Sequence, residues 1–357
     1  MRVILISQPG GPEVLVPGEA PEPVAGPGEV VIEVAAAGLN RADIGQRQGS
    51  YPPPAGTVEW PGMEVSGTIA AVGPEAGAGG AGGSRAGGSG GGGGGGSAAS
   101  GGGEVGAGNS GWKPGDRVCA LLPGGGYAER VAIDAGLVLP VPDGVDLVDA
   151  AGLPEVAATV WSNVYVNAGL KPGETLLVHG GTSGIGTFAI QLAVALGSRV
   201  IATAGTDDKV AFCESLGASS LNYHQDDFVE TVHDLTDGHG ADVILDLVGG
   251  DYLARNVRAL AVDGRIMVIA NQSGQASSFE LGALMQKRGR IWGTTLRPRP
   301  LPEKRAIIAG VREHVWPLLE AGTVRPVIDR VFPLDEAAAA HRWMEDGGHI
   351  GKILLRV

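Results

Sequence analysis

The sequence predicts an α/β chain: a doubly wound parallel sheet joined to a smaller, mainly β region. Three observations predict it. Residues 174–186 read as a buried strand, a glycine turn and the start of a helix. From there on, short apolar runs alternate with helical patterns, which implies parallel strands with crossover helices. Residues 1–76 and 118–142 instead show short strands broken by Pro and Gly turns.

The glycine turn organises the chain. Thr175 to Val178 is an uncharged apolar run, as expected of a strand covered on both faces. Gly180, Gly181, Gly184 and Gly186 follow, and Phe188 to Leu196 reads as a helix stopped by Gly197. Such a unit holds a dinucleotide pyrophosphate: glycines let the backbone approach, and free N–H groups at the helix start face the phosphates. The spacing is G-x-x-G-x-G, not the commoner G-x-G-x-x-G. A tight turn without a ligand also uses glycines.

Length and composition set bounds. A chain of 357 residues suggests two domains, and 43% hydrophobic residues suffice for ordinary cores. No apolar run reaches the ~18 residues that span a bilayer, and Met1–Ser7 reads as a first strand, not a signal peptide. Two cysteines, Cys119 and Cys213, give neither a disulfide framework nor a Cys-rich metal site, so a reducing cytoplasm is expected. A net charge of −13 speaks against nucleic acid as the main partner.

In chain order, Glu29–Ala35 is a strand, Gly38–Asp43 a loop entering a short helix, Tyr51–Pro54 an extended loop and Gly67–Val72 another strand. Residues 77–111 are more than half glycine and cannot form a core, so they read as a disordered insertion within one domain. Val72–Glu75 and Trp112–Val118 look like the two sides of one turn. Ala150–Asn167 reads as helix. Strands are expected at Arg199–Ala204, Ser219–Asn222, Val243–Val248, Arg265–Ala270 and Ile291–Thr295. A long helix is expected over Glu303–Ala321, and a last strand, Ile353–Val357, is expected to return to the first domain. The predicted division is 1–150, 151–300 and a returning 301–357.

The segments Gly38–Asp43, Gln46–Pro54, Ala120–Tyr127, Val178–Gly186, Leu245–Gly250 and Ile350–Leu354 together resemble the medium-chain dehydrogenase/reductase superfamily. The match is to its zinc-free, ζ-crystallin-like NADPH:quinone oxidoreductase branch, and most resembles the tumour-suppressor-inducible type of quinone reductase. The resemblance spans nearly the whole chain except 77–111. It implies a GroES-like catalytic domain and a Rossmann domain with the active site between them, assembled as a homodimer or homotetramer.

Zinc-dependent relatives place ligands where Asn40 and Met63 stand and near Glu155. Only Glu64 and Glu155 would serve as ligands here, so no zinc is expected. That favours reduction of an activated acceptor, a quinone or enone, over alcohol oxidation. An NAD-preferring unit carries an acidic residue about 20 residues past the glycines; Ala204-Gly205-Thr206 stands there and leaves room for a phosphate. By resemblance Lys209 and Tyr223 contact the 2′-phosphate, with Lys352 in place of a gripping Arg, and NADPH is the expected cofactor. Asp207 and Asp208 cut the other way and leave NADH open.

The resemblance also assigns the chemistry. Asn40 and Tyr51 are the donors expected to meet charge on the acceptor oxygen, with Asp43 on the same loop fixing its geometry. Thr159 stands beside the nicotinamide. Gly181, Thr182, Ser183, Gly184, Ile185, Gly186, Leu247, Asn271 and Gln272 complete the cofactor set. The bland alternatives are helix capping for Asn40 and cleft-wall packing for Tyr51. His179 reads as structural. Beside a small-molecule quinone or enone reductase, two readings stay open: an enoyl-thioester reductase, and a non-enzymatic NADPH-binding or RNA-associated protein.

Overall fold

The computed structural model describes residues 1–74 and 111–357; the glycine-rich insertion expected over 77–111 lies outside the described residues except for Gly111. The strands are β1 (Arg2–Ile6), β2 (Leu15–Glu19), β3 (Glu29–Gly38), β4 (Glu64–Val72), β5 (Arg117–Leu121), β6 (Arg130–Asp134), β7 (Val138–Pro140), β8 (Thr175–Val178), β9 (Arg199–Ala204), β10 (Ser219–Asn222), β11 (Ala241–Asp246), β12 (Leu260–Val268), β13 (Arg290–Gly293), β14 (Ile328–Pro333) and β15 (Lys352–Arg356). The helices are α1 (Arg41–Arg47), α2 (Pro154–Val160), α3 (Gly184–Ala195), α4 (Asp207–Ser215), α5 (Phe228–Leu235), α6 (Gly250–Ala259), α7 (Leu281–Gln286), α8 (Leu301–His314), α9 (Trp316–Glu320) and α10 (Ala337–Glu345).

Six strands form one parallel sheet in the order β10-β9-β8-β11-β12-β13. The order reverses between β8 and β11, the point where a crevice opens at the strand C-termini. Every residue of β8 is buried. Side chains alternate faces along a strand, so Leu176 and Val178 join one core with Phe188 and Ile190 of α3, while Leu177 joins a second with Phe228, Val232 and Val257. Both faces are thus covered, as the apolar run implied.

The second sheet carries β14-β15-β3-β4-β5-β7, with β6 also paired to β3. β15 lies antiparallel to β3, with Leu355 opposite Ala37, so the C-terminal strand enters the sheet built by the N-terminal residues. β4 and β5 pair antiparallel, from Glu64 opposite Leu121 to Thr68 opposite Arg117. No helix among the described residues is long and apolar enough to cross a membrane.

Two expectations change. The single helix over Glu303–Ala321 is two, α8 and α9, broken at Val315. Pro317 has no N–H to give to the preceding turn, and its ring opposes helix continuation. The helix over Ala150–Asn167 is a 3-10 turn (Asp149–Gly152), then α2, then a π-helical run (Trp161–Asn167). Thr159 Oγ1 donates to Glu155 Oε1 at 2.9 Å and Asn163 Nδ2 donates to Thr159 O at 2.8 Å. All three residues line the larger of two cavities described next.

Candidate active site

The β8–α3 turn has the shape its glycines implied. Gly180 takes φ +67°, open to glycine at no steric cost. A Cβ on Gly186 would sit 2.3 Å from Gly180 O, and one on Gly181 2.7 Å from Cys213 Sγ. These two glycines serve close packing, while Thr182, Ser183, Gly184 and Ile185 face a cavity of 380 Å³. Ser183 Oγ caps α3 by accepting from Gly186 N–H at 2.9 Å. Gly351 N–H donates to Thr182 O at 2.8 Å, tying the chain just before β15 to this turn.

The far end of the same cavity holds Gly205, Lys209 and Tyr223. A Cβ on Gly205 would meet Tyr223 Oη at 2.7 Å, so only glycine keeps this cup open. Asp207 Oδ1 is engaged by Asn222 Nδ2 at 2.7 Å and by Gln225 Nε2. Arg41 and His349 also line the cavity, and His349 Nδ1 is buried without a partner. The sequence reading named neither.

A second cavity of 760 Å³ carries Tyr51, Thr159 and Asn271, and shares Asn40, Arg41, Ile185, Leu247 and Gln272 with the first. The two form one continuous cleft along the strand C-termini, next to the α1 loop. Asn271 Oδ1 accepts from Gly250 N–H at 3.1 Å, fixing the loop after β12.

Asn40 does not offer a donor to this cleft. Its Nδ2 donates to Glu64 Oε1 at 3.0 Å and Gly38 O at 3.4 Å, and its Oδ1 accepts from Lys352 Nζ at 2.7 Å. Lys352 Nζ also reaches Leu39 O at 2.8 Å and Glu64 Oε1 at 2.6 Å. Those three acceptors use all three ammonium protons. Lys352 lines the glycine-turn cavity, but its ammonium is engaged by Glu64 under the turn.

Asp43 holds the loop and does not face the cleft. It is wholly buried, borders neither cavity, and accepts from Asn40 N–H at 2.8 Å, Gly62 N–H at 3.0 Å and Tyr127 Oη–H at 3.3 Å. Burial pushes its carboxyl up to about 6, against those backbone bonds. It anchors the loop that carries Asn40.

Tyr51 is different. It is half-buried, lines the larger cavity, and its hydroxyl makes no hydrogen bond among the described residues. Burial raises its pKa, so the phenol stays a donor. Glu155 faces the same cavity; burial above all, with Glu64 nearby, pushes its carboxyl up to about 7.

His179 is structural, as expected. Its Nδ1 meets Thr203 Oγ1 at 3.2 Å and its Nε2 meets Asn256 Oδ1 at 2.7 Å, and burial lowers its pKa to about 4.

Arg297, Lys304 and Glu345 of this cleft likewise carried no functional reading in the sequence. Arg297 and Lys304 stand in a Pro-rich stretch, Leu296-Arg-Pro-Arg-Pro-Leu-Pro-Glu-Lys304, which was the available signal.

Comparison with known proteins places the chain among oxidoreductases. Residues 184–307 match the family description "Zinc-binding dehydrogenase", and residues 26–87 match "Alcohol dehydrogenase GroES-like domain". The chain is 30% identical to a 2-haloacrylate reductase of Burkholderia sp over 355 residues, covering 98% of this chain and 97% of that one. It is 31% identical to a quinone oxidoreductase of Pseudomonas aeruginosa, covering 93% and 92%. It is also 28% identical to a phenolphthiocerol/phthiocerol polyketide synthase subunit of Mycobacterium tuberculosis, matching 14% of that much longer chain. The Escherichia coli quinone oxidoreductase complexed with NADPH superposes with a TM-score of 0.81 at 26% identity, over the full length of both chains.

Proposed function

The chain belongs to the medium-chain dehydrogenase/reductase superfamily, with quinone oxidoreductases among its relatives, and from that premise we propose that it is an NADPH-dependent reductase of quinones or related conjugated carbonyl compounds. One observation carries this reading: the glycine-turn cavity and the Tyr51 cavity are one cleft, joined at Asn40, Ile185 and Leu247. A nucleotide and a second small molecule fit it end to end.

NADPH bound there supplies a hydride equivalent from its nicotinamide. The residues fit that cofactor. The α3 N-terminus and the turn residues 182–185 receive the pyrophosphate. Lys209 and Tyr223 receive the 2′-phosphate in the cup that Gly205 keeps open. Leu247, Asn271, Gln272 and Thr159 bound the nicotinamide end. Tyr51 Oη–H donates to the acceptor oxygen as negative charge arrives there. Glu155, its carboxyl pushed up to about 7, is poised on the same wall to take up or release a proton near neutral pH.

The residues do not fit zinc. Among the described residues no cluster of His, Cys, Asp and Glu is placed to hold a metal ion. Glu64 is neutralised by Lys352, and its second oxygen accepts from Glu155 N–H at 2.8 Å. A lysine cation occupies the carboxylate that a metal would need.

A purified preparation is expected to oxidise NADPH when given 1,4-benzoquinone or 9,10-phenanthrenequinone. Binding of NADPH with no turnover of any quinone or enone would overturn the reading. The similarity to a polyketide synthase segment supports a second reading, reduction of an enoyl thioester. Turnover of a crotonyl thioester well above that of quinones would favour it.

A further inference from the structure

Four cations are buried among the described residues: Arg47, Arg297, Lys304 and Lys352. Two have carboxylate partners. Arg47 pairs with Glu345 at 2.7 Å and Lys352 with Glu64 at 2.6 Å. Arg297 and Lys304, 5% and 9% exposed, have none, and both line the 760 Å³ cavity. In a protein of net charge −13, two unpaired cations on one cavity wall are conspicuous, because a buried charge without a partner is costly.

The hydrogen bonds of the pair leave donors over. Arg297 Nε donates to Pro123 O at 2.5 Å and Nη2 to Gln46 Oε1 at 2.7 Å, while Nη1 is buried with no partner. Lys304 Nζ makes a single long bond, 3.4 Å, to Arg297 O. The guanidinium stands 5.6 Å from the centre of the Tyr51 ring, beside the hydroxyl assigned to the acceptor oxygen. Asp43 acts on Arg297 only at longer range, and its oxygens are taken by Asn40, Gly62 and Tyr127. The cofactor's phosphates do not account for the pair, since neither residue borders the cavity of the glycine turn. Pro298, Pro300 and Pro302 stiffen the segment that presents both cations.

We propose that Arg297 and Lys304 bind a carboxylate on the acceptor, so that the substrate class is a conjugated carbonyl compound that also carries an acid group. This rests on the reductase reading above and narrows it. The carboxylate is not consumed. A hydride and a proton add across the conjugated C=C bond: one carbon takes the hydride from the nicotinamide, its neighbour takes a proton, and the π bond is lost. The acceptor is reduced by two electrons and NADPH is oxidised to NADP⁺.

The test compares 4-oxopent-2-enoate with its methyl ester, two acceptors that differ in the charge. The wild-type protein is expected to favour the acid in kcat/KM. Arg297→Gln and Lys304→Met are each expected to lower the acid-to-ester ratio by about tenfold to a hundredfold, the worth of a charge-assisted bond. A wild-type protein that prefers the ester, or variants that lower both acceptors alike, would overturn the proposal. Arg297 also ties Pro123 to Gln46, so if Arg297→Gln fails to fold the ratio in Lys304→Met decides. If neither acceptor is turned over, the quinone and enone assay above decides the reductase reading, and calorimetry on NADP⁺-saturated protein tests the acid site by itself. Tighter binding of 4-oxopentanoate than of its methyl ester, lost in Lys304→Met, upholds the acid site; equal binding sinks it.

Discussion

The Lys352 ammonium lies 2.6 Å from Glu64, and the two residues come from opposite ends of the chain. Lys352 opens β15, Glu64 opens β4, and between them they hold the Asn40 amide by both its oxygen and its nitrogen. The pair thus straps the C-terminal strand to the loop that borders the cleft. Removing one member leaves the other charge buried alone. Lys352→Met is expected to cost about 3–5 kcal/mol in urea unfolding. The double variant Lys352→Met/Glu64→Gln is expected to recover part of that loss. A single variant as stable as the wild type would show that the strap carries no weight.

Glu155 sets a pH dependence with a definite sign. Its folded value, about 7, lies above the unfolded value of 4.5. Between those values the folded chain holds a proton that the unfolded chain has released. Stability from this group is complete below about pH 4.5 and is lost as pH rises through about 7. Glu155→Gln removes the titration. The variant is expected to gain on the wild type as pH rises from about 4.5 to 7, by on the order of 1–3 kcal/mol. Denaturant midpoints at several pH values check this; parallel curves for the two proteins would refute it. Turnover of a quinone by the variant is expected to lose the alkaline fall that a protonated Glu155 would impose.

Cofactor preference rests on Lys209. In the structure its Nζ donates to Gly347 O at 2.7 Å, an interaction that an incoming phosphate would replace. Lys209→Ala is expected to raise KM for NADPH about tenfold or more and to leave KM for NADH within about twofold. Gly205→Ala is expected to act in the same direction, because its Cβ would meet the Tyr223 hydroxyl. Equal losses for both cofactors would mean that the cup does not read the phosphate.

The parts of the fold that read directly from the chain are those encoded locally. Thr175–Val178 declares a doubly covered strand by having no charge, and Gly180 and Gly186 declare the turn by spacing alone. The site is most legible where its residues follow strand ends, as Gly205, Leu247 and Asn271 do; Tyr51 and Thr159 were read only through the resemblance. What the sequence hid was pairing across distance. Asn40 looked like a free donor because Glu64, which takes its Nδ2–H, lies 24 residues away in β4 and is itself paired with Lys352 from the C-terminal strand. Arg297 carried no reading because its partner Gln46 lies 251 residues away. Pro317 was a local signal, yet the apolar residues on both sides of it continued the helical pattern.

A buried polar chain links the two cofactor loops. Gly180 N–H donates to Thr203 Oγ1 at 3.3 Å, and Thr203 Oγ1 meets His179 Nδ1 at 3.2 Å. His179 Nε2 then meets Asn256 Oδ1 at 2.7 Å, and Asn256 Nδ2 donates to Asp246 Oδ2 at 2.9 Å. Asp246 Oδ1 accepts from Val248 and Gly249 N–H at 2.8 and 3.0 Å, fixing the turn after Leu247. With Nδ1 accepting from Thr203, the neutral imidazole carries its proton on Nε2 and the direction of every bond is set. Asn256 is the middle of the chain and touches neither cavity. Asn256→Leu leaves both His179 and Asp246 short of a partner in the core and is expected to cost about 1–3 kcal/mol for each unpaired group. Because the Leu247 turn loses its brace, the variant is expected to bind NADPH with a raised KM and to turn over more slowly at saturation. Asn256→Asp keeps an acceptor for His179 but sets a second carboxylate against Asp246, and is expected to be the worse of the two at high pH. Unfolding curves with NADPH titrations on both variants check this: loss of stability with unchanged KM and kcat would confine Asn256 to the core and detach it from the cleft.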